Sequence, residues 1–344
     1  MINSGQVKIV DVVTGIVYGD EAKGKISHIL SSKKKVMDNS SYYDYVCRWN
    51  GGQNAGHTVY HEGKKFATHI VPSGVFHGIP SIIGPGCVIN IDLFYRELDE
   101  LRAGGVDTSL VKVFPNTHIV TESHIAEDRA TLGHLGTTAR GIAPSYRDKY
   151  ARNGLLAKDS ELDPDYIFDG SLSGNILCEG AQGFWLDINW GNYPYVTSSE
   201  CLPYAACSLG FPPQKIRNIW GAAKIYDTRS GTDPKFPDSL LEDLLLSKIA
   251  KLGSEFGTTT GRARKVNWLN LDDLVRAINI SGTTHLVISK CDVLESLGIY
   301  KLFWNSSLLS FSTISSMKGE ISSVVKDNCP MVSEIFFSHS PEAI

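Results

Sequence analysis

Short runs of β-branched and apolar residues alternate along this chain with longer segments of helical periodicity. The first run, residues 7–17, closes at Tyr18-Gly19 and predicts a buried strand that ends in a turn. Further strands are predicted at residues 45–49, 81–88, 111–114, 175–178, 218–225 and 285–289, and helices at 23–32, 91–103 and 271–280. This alternation predicts an α/β fold: a single large domain, residues 1–344, around a mostly parallel central sheet with helices on both faces.

Two segments carry little pattern. Residues 159–174 are polar and irregular, which predicts an exposed excursion, and residues 306–328 are rich in serine with weak periodicity. We assign no chemistry to either segment. Several polar loops elsewhere directly follow predicted strands. Because ligands of parallel sheets collect at the carboxyl ends of the strands, the functional site is predicted at that edge.

Composition and charge limit the partners that this chain can have. Of its 344 residues, 42% are hydrophobic and 20% are charged, as in a globular protein, and the formal net charge is −4. No basic field points to nucleic acid, so a phosphate site must be built locally. No apolar run approaches the ~20 residues of a membrane span, and no signal peptide is recognisable. Seven scattered cysteines without a Cys-x-x-Cys pair predict reduced thiols in the cytoplasm.

The first polar loop, residues 19–25, joins the first strand to the first helix and reads Gly-Asp-Glu-Ala-Lys-Gly-Lys. Glycines let the backbone approach a polyphosphate, the helix N-terminus presents free N–H groups, and lysines supply charge. The segment does not match the P-loop pattern Gly-x-x-x-x-Gly-Lys-Ser/Thr. Two acids within a phosphate cradle indicate that one binds Mg²⁺ or moves a proton. The alternative is a helix start whose acids are favoured by the helix dipole.

The second polar loop, residues 48–58, reads Arg-Trp-Asn-Gly-Gly-Gln-Asn-Ala-Gly-His-Thr. Its glycines expose backbone groups, and Asn54, His57 and Thr58 can bind an oxygen-rich ligand. A histidine in such a loop can act as a general acid near neutral pH. A lone histidine is more often a structural hydrogen-bonding residue, but the polar neighbours of His57 favour the chemical role.

Five further segments carry hydroxyl or charged side chains, and three of them also contain glycines. Residues 135–152, together with 179–183 and 193–199, carry groups suited to gripping phosphate. The segment 257–264, Gly-Thr-Thr-Thr-Gly-Arg-Ala-Arg, could hold a second anion such as a carboxylate. Lys290 and Asp292 follow a predicted strand, where Lys-x-Asp can stack on and hydrogen-bond a guanine. Each of these loops is weak evidence alone, because a helix cap would also explain it.

Taken in order from Val12 to Leu294, these segments resemble the adenylosuccinate synthetase family. The matching motifs are Gly-Asp-Glu-x-Lys-Gly-Lys, Gly-Gly-x-Asn-Ala-Gly-His-Thr, Gly-Thr-Thr-x-Arg-Gly-Ile, Glu-Gly-Ala-Gln-Gly, Tyr-Pro-Tyr-Val-Thr-Ser-Ser and Thr-Thr-Gly-Arg-x-Arg. The resemblance implies one catalytic domain of that family. It also implies a ligase of purine biosynthesis that condenses L-aspartate onto a 6-oxopurine nucleotide with GTP and Mg²⁺.

The resemblance implies a catalytic pair. Asp20 is expected to take the N1 proton of the purine and to bind Mg²⁺ together with the carbonyl of Gly56. His57 is expected to act as an acid at O6 and at the transferring phosphoryl group. The γ-phosphoryl of GTP would pass to O6, and the aspartate amine would then displace phosphate at C6.

The other matched positions imply binding roles. Those assigned to the nucleoside triphosphate are Lys23, Gly24, Lys25, Gly56, Thr58, Lys290, Asp292, Ser338 and Ser340. Those assigned to the substrates are Asn54, Thr138, Gln182, Thr197, Thr259, Thr260, Arg262 and Arg264. Arg152 matches an arginine that reaches the nucleotide phosphate from the other subunit, so the resemblance implies a homodimer with shared active sites.

Some positions depart from the family pattern. Ala22 and Ala139 stand where the family usually has glycine, and Ser230 replaces a usual valine near the nucleotide. Ser340 adds a hydroxyl to the guanine-contact motif, which leaves ATP or dATP open as phosphoryl donors. The chain is also compact, as in archaeal-type enzymes and a viral branch. If this chain is viral, its expected location is the host cytoplasm.

Four interpretations follow. The leading one is IMP as substrate, because the viral branch that acts on dGMP often replaces the aspartate of Gly-Asp-Glu, which is Asp20 here, with a small hydroxyl residue. The second is 2-aminoadenylosuccinate synthesis from dGMP, which Ser230 and the compact length favour. The third is a regulatory NTPase that signals to a partner, and the fourth is an inactive homologue. Retention of both Asp20 and His57 argues against the fourth.

Overall fold

The computed structural model describes residues 6–35, 40–257 and 261–344. Within these ranges the strands are β1 (Val7–Gly15), β2 (Tyr45–Arg48), β3 (His57–His61), β4 (Lys64–Thr68), β5 (Ser81–Ile83), β6 (Val88–Ile89), β7 (Val111–Val113), β8 (His118–Ile119), β9 (Gly174–Glu179), β10 (Ile216–Lys224), β11 (Tyr226–Arg229), β12 (Lys265–Asn270), β13 (His285–Ser289), β14 (Lys301–Trp304), β15 (Ser307–Ser310) and β16 (Glu334–Phe337). The helices are α1 (Lys23–Ser31), α2 (Ile91–Ala103), α3 (Glu122–Thr131), α4 (Ile142–Ala151), α5 (Leu244–Leu252), α6 (Leu271–Ser281), α7 (Cys291–Leu297) and α8 (Ile314–Asn328).

Eight of these strands form the central sheet, in the order β16-β13-β10-β1-β9-β2-β5-β7. Every neighbouring pair in it is parallel. The predicted parallel α/β fold is therefore confirmed. Because β9 lies between β1 and β2, the loops that follow these three strands emerge side by side at the carboxyl edge.

Both faces of the sheet are covered by helices, and alternation along β13 shows why. Leu286 and Ile288 pack in the cluster that contains α6 and α8. The intervening Val287 packs in the opposite cluster with Ile26 and Leu30 of α1. Successive side chains of a strand point to opposite faces, so a continuous apolar run marks a strand that is buried on both sides.

The weakly patterned segment 306–328 contains a strand and a long helix. Helix α8 begins at Ile314 after a capping box formed by Thr313 and Ser316. Its buried residues Met317, Ile321 and Val325 recur every four positions and face the core. The serines between them lie on the outer face. The weak periodicity of this segment predicts neither element, although a single apolar stripe of this spacing is enough to dock a helix.

Two other boundaries differ from the sequence prediction. The strand predicted at residues 81–88 is divided into β5 and β6, because Gly84-Pro85-Gly86 turns the chain between them. The predicted excursion at 159–174 is largely exposed, but Leu162 and Leu172 are buried and anchor it to the core. In the described part of the chain, no helix has the length and apolar character that crossing a membrane would need.

Candidate active site

A cleft of about 350 Å³ opens where the loops after β1, β2 and β9 meet. Segments from 128–143, 193–198 and 229–231 complete its walls. Nine of the predicted site residues line this cleft: Asp20, Lys23, Asn54, Gly56, His57, Thr138, Gln182, Thr197 and Arg262. The expectation that the polar loops converge at the carboxyl edge is therefore met by the geometry.

The two acids of the first loop have different surroundings. Glu21 is buried, and its Oε1 accepts hydrogen bonds from the backbone N–H groups of Val17 and Gly19, at 3.1 and 2.6 Å. Its Oε2 lies 3.5 Å from Lys23 Nζ. Burial raises the pKa of Glu21. Glu21 thus holds the turn closed from inside, while Asp20 is left to line the cleft.

A buried network positions the Asp20 carboxylate. Arg264 Nη2 donates to Asp20 at 2.9 Å, and Arg264 Nη1 donates to Glu255 at 2.7 Å. Glu255 also accepts from Lys224 Nζ at 2.8 Å and from the Tyr226 hydroxyl at 2.7 Å. Burial opposes ionisation of Glu255, but the charges of Lys224 and Arg264 outweigh it and lower the pKa of Glu255 to about 2. The carboxylate stays ionised and keeps Arg264 turned towards Asp20.

The His57 imidazole is held by a buried carboxylate. Its Nδ1 lies 2.5 Å from Glu179 Oε1, and the same oxygen accepts from Arg48 Nη2 at 2.9 Å. Glu179 Oε2 accepts from the backbone N–H of Ser73 at 2.8 Å. A carboxylate on Nδ1 fixes the tautomer in which Nδ1 carries the hydrogen. The buried Nε2 has no hydrogen-bond partner among the described residues.

Electrostatics keep this histidine neutral in the free protein. Burial and the adjacent Arg48 charge lower the pKa of His57 to about 4, although Glu179 opposes this. Burial alone would raise the pKa of Glu179. The Arg48 charge and the hydrogen bond to His57 outweigh burial and lower this pKa to about 2. His57 therefore needs a bound anion to become an acid near pH 7, because only a nearby negative charge would favour the imidazolium form.

A second group of predicted residues lies together outside this cleft. Lys25 Nζ donates to Ser338 Oγ at 2.7 Å and to the carbonyl oxygens of Ser340 and Ala343, each at 3.1 Å. The backbone N–H of Cys291, between Lys290 and Asp292, donates to the Ser338 carbonyl at 3.1 Å. Burial lowers the pKa of Lys25 to about 8. Lys25 here binds the C-terminal segment and does not line the cleft.

The remaining predicted positions are dispersed. Gly24 packs on the His57 side chain, where an added Cβ would lie 2.6 Å from the histidine Cβ. Thr58 is half-buried in β3. Arg152 is exposed at the end of α4 and does not line the cleft of its own chain. Thr259 and Thr260 lie outside the described residues.

Sequence reasoning missed several charged residues that build the site. Arg229 is buried, lines the cleft and donates to the carbonyl oxygen of Tyr195 at 2.9 Å. Glu179 is the first residue of the Glu-Gly-Ala-Gln-Gly motif, but the sequence assigned it no role. Lys224 and Glu255 carried no motif signal. Lys224 is the last but one residue of the strand predicted at 218–225 and so lies near its carboxyl end, which is the one indication that the sequence offered.

The departures from glycine have a backbone explanation. Ala22 has φ +74° and Ala139 has φ +53°, which are left-handed conformations. Such a conformation costs an L-residue with a Cβ about 1–2 kcal/mol, whereas glycine adopts it freely. Both alanines lie in loops of the site. The strained backbone therefore occurs where the chain must turn sharply to form these loops.

The fold and the site together define a class of protein. Glycine-rich loops, a lysine, a carboxylate and a carboxylate-held imidazole meet at the edge of a parallel sheet, as in α/β enzymes that act on phosphorylated ligands. The adenylosuccinate synthetase family profile matches residues 12–167 and 163–303. Two relatives named adenylosuccinate synthetase, from Cytophaga hutchinsonii and Shouchella clausii, are each 36% identical. The first match covers 83% of this chain and 78% of the relative, and the second covers 85% and 79%.

Solved structures show the same fold. The fully ligated adenylosuccinate synthetase from Plasmodium falciparum has a TM-score of 0.79 at 24% identity, covering 97% of this chain and 98% of that chain. The cyanophage S-2L succinoaminodeoxyadenylate synthetase, bound to dGMP and dATP, has a TM-score of 0.72 at 20% identity, covering 98% and 94%. The chain belongs to the adenylosuccinate synthetase family and is a ligase that forms a C–N bond.

Proposed function

We propose that this chain joins L-aspartate to C6 of IMP at the expense of GTP, giving adenylosuccinate, GDP and phosphate. The observation that carries the proposal is the cleft itself. It holds the Asp20 carboxylate and the His57 imidazole together; Asp20 is fixed by an ion pair with the buried Arg264, and His57 by a hydrogen bond to the buried Glu179. Groups that are already fixed lose no orientational freedom when the transition state forms. Their preorganisation therefore lowers the activation free energy.

The proposed roles follow from what each group can do with a proton. Asp20 accepts the N1 proton of the purine, so that electrons move to O6. O6 then attacks the γ-phosphoryl group, the bond from the γ-phosphorus to the β-phosphate oxygen breaks, and GDP leaves. His57, once protonated beside the anionic ligand, donates a hydrogen bond from Nε2 to the transferring group. The aspartate amine then attacks C6, the C6–O bond breaks, and phosphate leaves. Arg262 and residues 259–260 are proposed to hold the substrate aspartate.

Magnesium fits the donor set on this side of the cleft. Asp20 and Gly56 line the same cleft. A carboxylate and a backbone carbonyl both offer oxygen ligands, which Mg²⁺ prefers. When bound, the ion would neutralise phosphate charge. We propose that Asp20 and Gly56 hold it, and that Lys23 supports the phosphates. Lys290, Asp292, Ser338 and Ser340 are proposed to bind the base of the triphosphate.

One observation favours dGMP as a second candidate substrate. Ser230 lines the cleft beside Arg229, so a hydroxyl is available to a purine 2-amino group or to the ribose. IMP and dGMP share the N1–H and C6 oxygen that the chemistry needs. Discrimination must therefore come from contacts at C2 and at the ribose 2′ position.

Product mass tests the proposal. Purified protein is incubated with aspartate, Mg²⁺ and each pairing of IMP, dIMP, GMP or dGMP with GTP, ATP or dATP. We expect IMP with GTP to give a product with the mass of IMP plus aspartate minus water. A kcat/KM about tenfold higher with dGMP would replace IMP by the second candidate. No product from any pairing would contradict ligase activity on these substrates.

We also propose a homodimer in which Arg152 completes the partner's site. Arg152 is exposed at the end of α4, and an arginine there is free to grip a phosphate across an interface. Mixing Arg152→Leu with Asp20→Ala protein should restore activity, because one site of each hybrid dimer then carries both wild-type residues. No recovery, under conditions where subunit exchange is demonstrated, would refute the shared site.

The extent and location of the activity are also proposed. We infer that residues 1–344 act as one catalytic domain, because the family match and the central sheet both run through most of the chain. We propose that it acts in the cytoplasm, or in the host cytoplasm if the source is viral, where its nucleotide and aspartate substrates are available.

A further inference from the structure

Three histidines meet behind the catalytic loops. His28 lies on α1, His61 ends β3, and His77 ends the 3₁₀ segment Ser73–His77. One ring nitrogen from each lies within 4.8 Å of the other two, and His77 Nε2 lies 3.1 Å from His28 Nδ1. Across residues 6–35, 40–257 and 261–344 this is the one group of three or more metal-ligating side chains with such spacing.

We propose that His28, His61 and His77 bind a zinc-class transition metal, separate from the magnesium of the reaction. Imidazole nitrogen is a preferred ligand of Zn²⁺, with Zn–N distances of about 2.0–2.1 Å. Tetrahedral ligands at that distance stand about 3.3 Å apart. The Nε2 of His77 and the Nδ1 of His28 lie 3.1 Å apart, at hydrogen-bond distance and close to this value. The third nitrogen, from His61, lies within 4.8 Å of both and would move closer to them on metal binding.

The surroundings of the three imidazoles leave them available to a metal cation. All three histidines are half-buried and their rings pack against one another. The rings of His28 and His61 also pack against Phe76. Among the described residues, no carboxylate forms an ion pair with any of them. Burial, together with the neighbouring imidazoles, lowers the pKa of His28 and of His77 to about 4. Both rings are therefore neutral near pH 7, which is the form that binds a metal.

The site would have an open coordination position. The group contains no fourth histidine, cysteine, aspartate or glutamate among the described residues. Zinc sites with three protein ligands complete their coordination with water or another small ligand. The structure therefore assigns this group three protein ligands and one exchangeable position.

Occupancy would tie together the elements that carry the catalytic pair. Helix α1 starts at Lys23, strand β3 starts at His57, and Ser73 at the start of the 3₁₀ segment binds Glu179. A metal shared by these three elements binds the folded state and not the unfolded chain, so it raises the free energy of unfolding. The consequence is a metal-dependent Tm.

Metal binding is tested on the full chain after chelator treatment. Calorimetric titration with ZnCl₂, in excess Mg²⁺, should give one equivalent with a Kd in the micromolar range or tighter. Titration with Co²⁺ should produce the visible absorption of a four-coordinate site. His61→Gln and His77→Gln should each weaken zinc binding by about a hundredfold or more. His134→Gln, an exposed histidine outside the group, is the matched control and should bind as wild type.

A purely structural histidine cluster gives a different result. In that case His61→Gln and His77→Gln each have a lowered Tm in the absence of metal, but zinc leaves the wild-type Tm unchanged. We expect zinc to raise the Tm of wild type and of His134→Gln by several degrees, and to leave His61→Gln and His77→Gln unmoved. Absence of zinc binding to wild type, or equal binding to all four proteins, would overturn the proposal.

Discussion

Replacing Asp20 with asparagine should reduce kcat by about 10²–10⁴-fold, the usual loss when a general base is removed. Asparagine keeps the size of the side chain and an oxygen that can accept from Arg264, so the loop should retain its shape. It cannot take up the N1 proton, and as a neutral amide it is a weaker ligand for Mg²⁺. Steady-state kinetics with IMP, aspartate, GTP and Mg²⁺ measure the loss.

Two measurements separate lost chemistry from lost structure. The Tm of Asp20→Asn should stay close to the wild-type value, because the Asp20 side chain is 30% exposed and the inward carboxylate of this loop is Glu21. Asp165→Asn, which changes an exposed acid that does not line the cleft, should leave kcat unchanged. An Asp20→Asn enzyme with more than about a third of wild-type kcat would remove Asp20 from the mechanism.

The parts of this molecule that the sequence could predict share a physical basis. Strands buried on both faces need continuous apolar runs, so β1 and β13 are visible without any structure. Loops that approach phosphate need glycines in fixed places, so the segments 19–25 and 48–58 are visible too. Both patterns, the apolar run and the spaced glycines, are local in sequence. Each is required by a physical constraint that acts on residues close together in the chain.

The parts that could not be predicted depend on contacts between distant residues. Glu179 reaches His57 across 122 positions, and Glu255 reaches Lys224 across 31. Nothing near Glu255 in the chain marks it as the partner of two cations. A buried ion pair becomes visible only when the fold brings its members together, since either residue alone reads as an ordinary surface charge.

The second large effect is expected from Glu179→Gln. The substitution keeps the shape but removes the charge that stabilises a protonated His57, and its amide can donate to Nδ1 and so select the wrong tautomer. Where a buried carboxylate orients a catalytic histidine, the amide variant has cost about 10⁴-fold in kcat. We expect kcat to fall by about 10²–10⁴-fold here, with a smaller change in the KM for IMP.

A matched control distinguishes this role from general stabilisation. Glu97 is also a fully buried carboxylate, and it accepts hydrogen bonds from the backbone N–H groups of His69, Ile70 and Val71. It does not line the cleft. Glu97→Gln should lower the Tm while turnover of the folded fraction stays within a few-fold of wild type. Glu179→Gln should lose turnover at temperatures where it is fully folded.

A double-mutant cycle decides whether Glu179 acts through His57. The effects of two residues that act as one unit are not additive. Glu179→Gln should therefore lower kcat strongly in the wild-type background but only slightly in the His57→Asn background. The reason is that a carboxylate that only orients and charges an imidazole has nothing left to act on once the imidazole is gone. Full additivity of the two losses would show that Glu179 supports catalysis by another route, with Arg48, its other buried side-chain partner, as the next residue to vary.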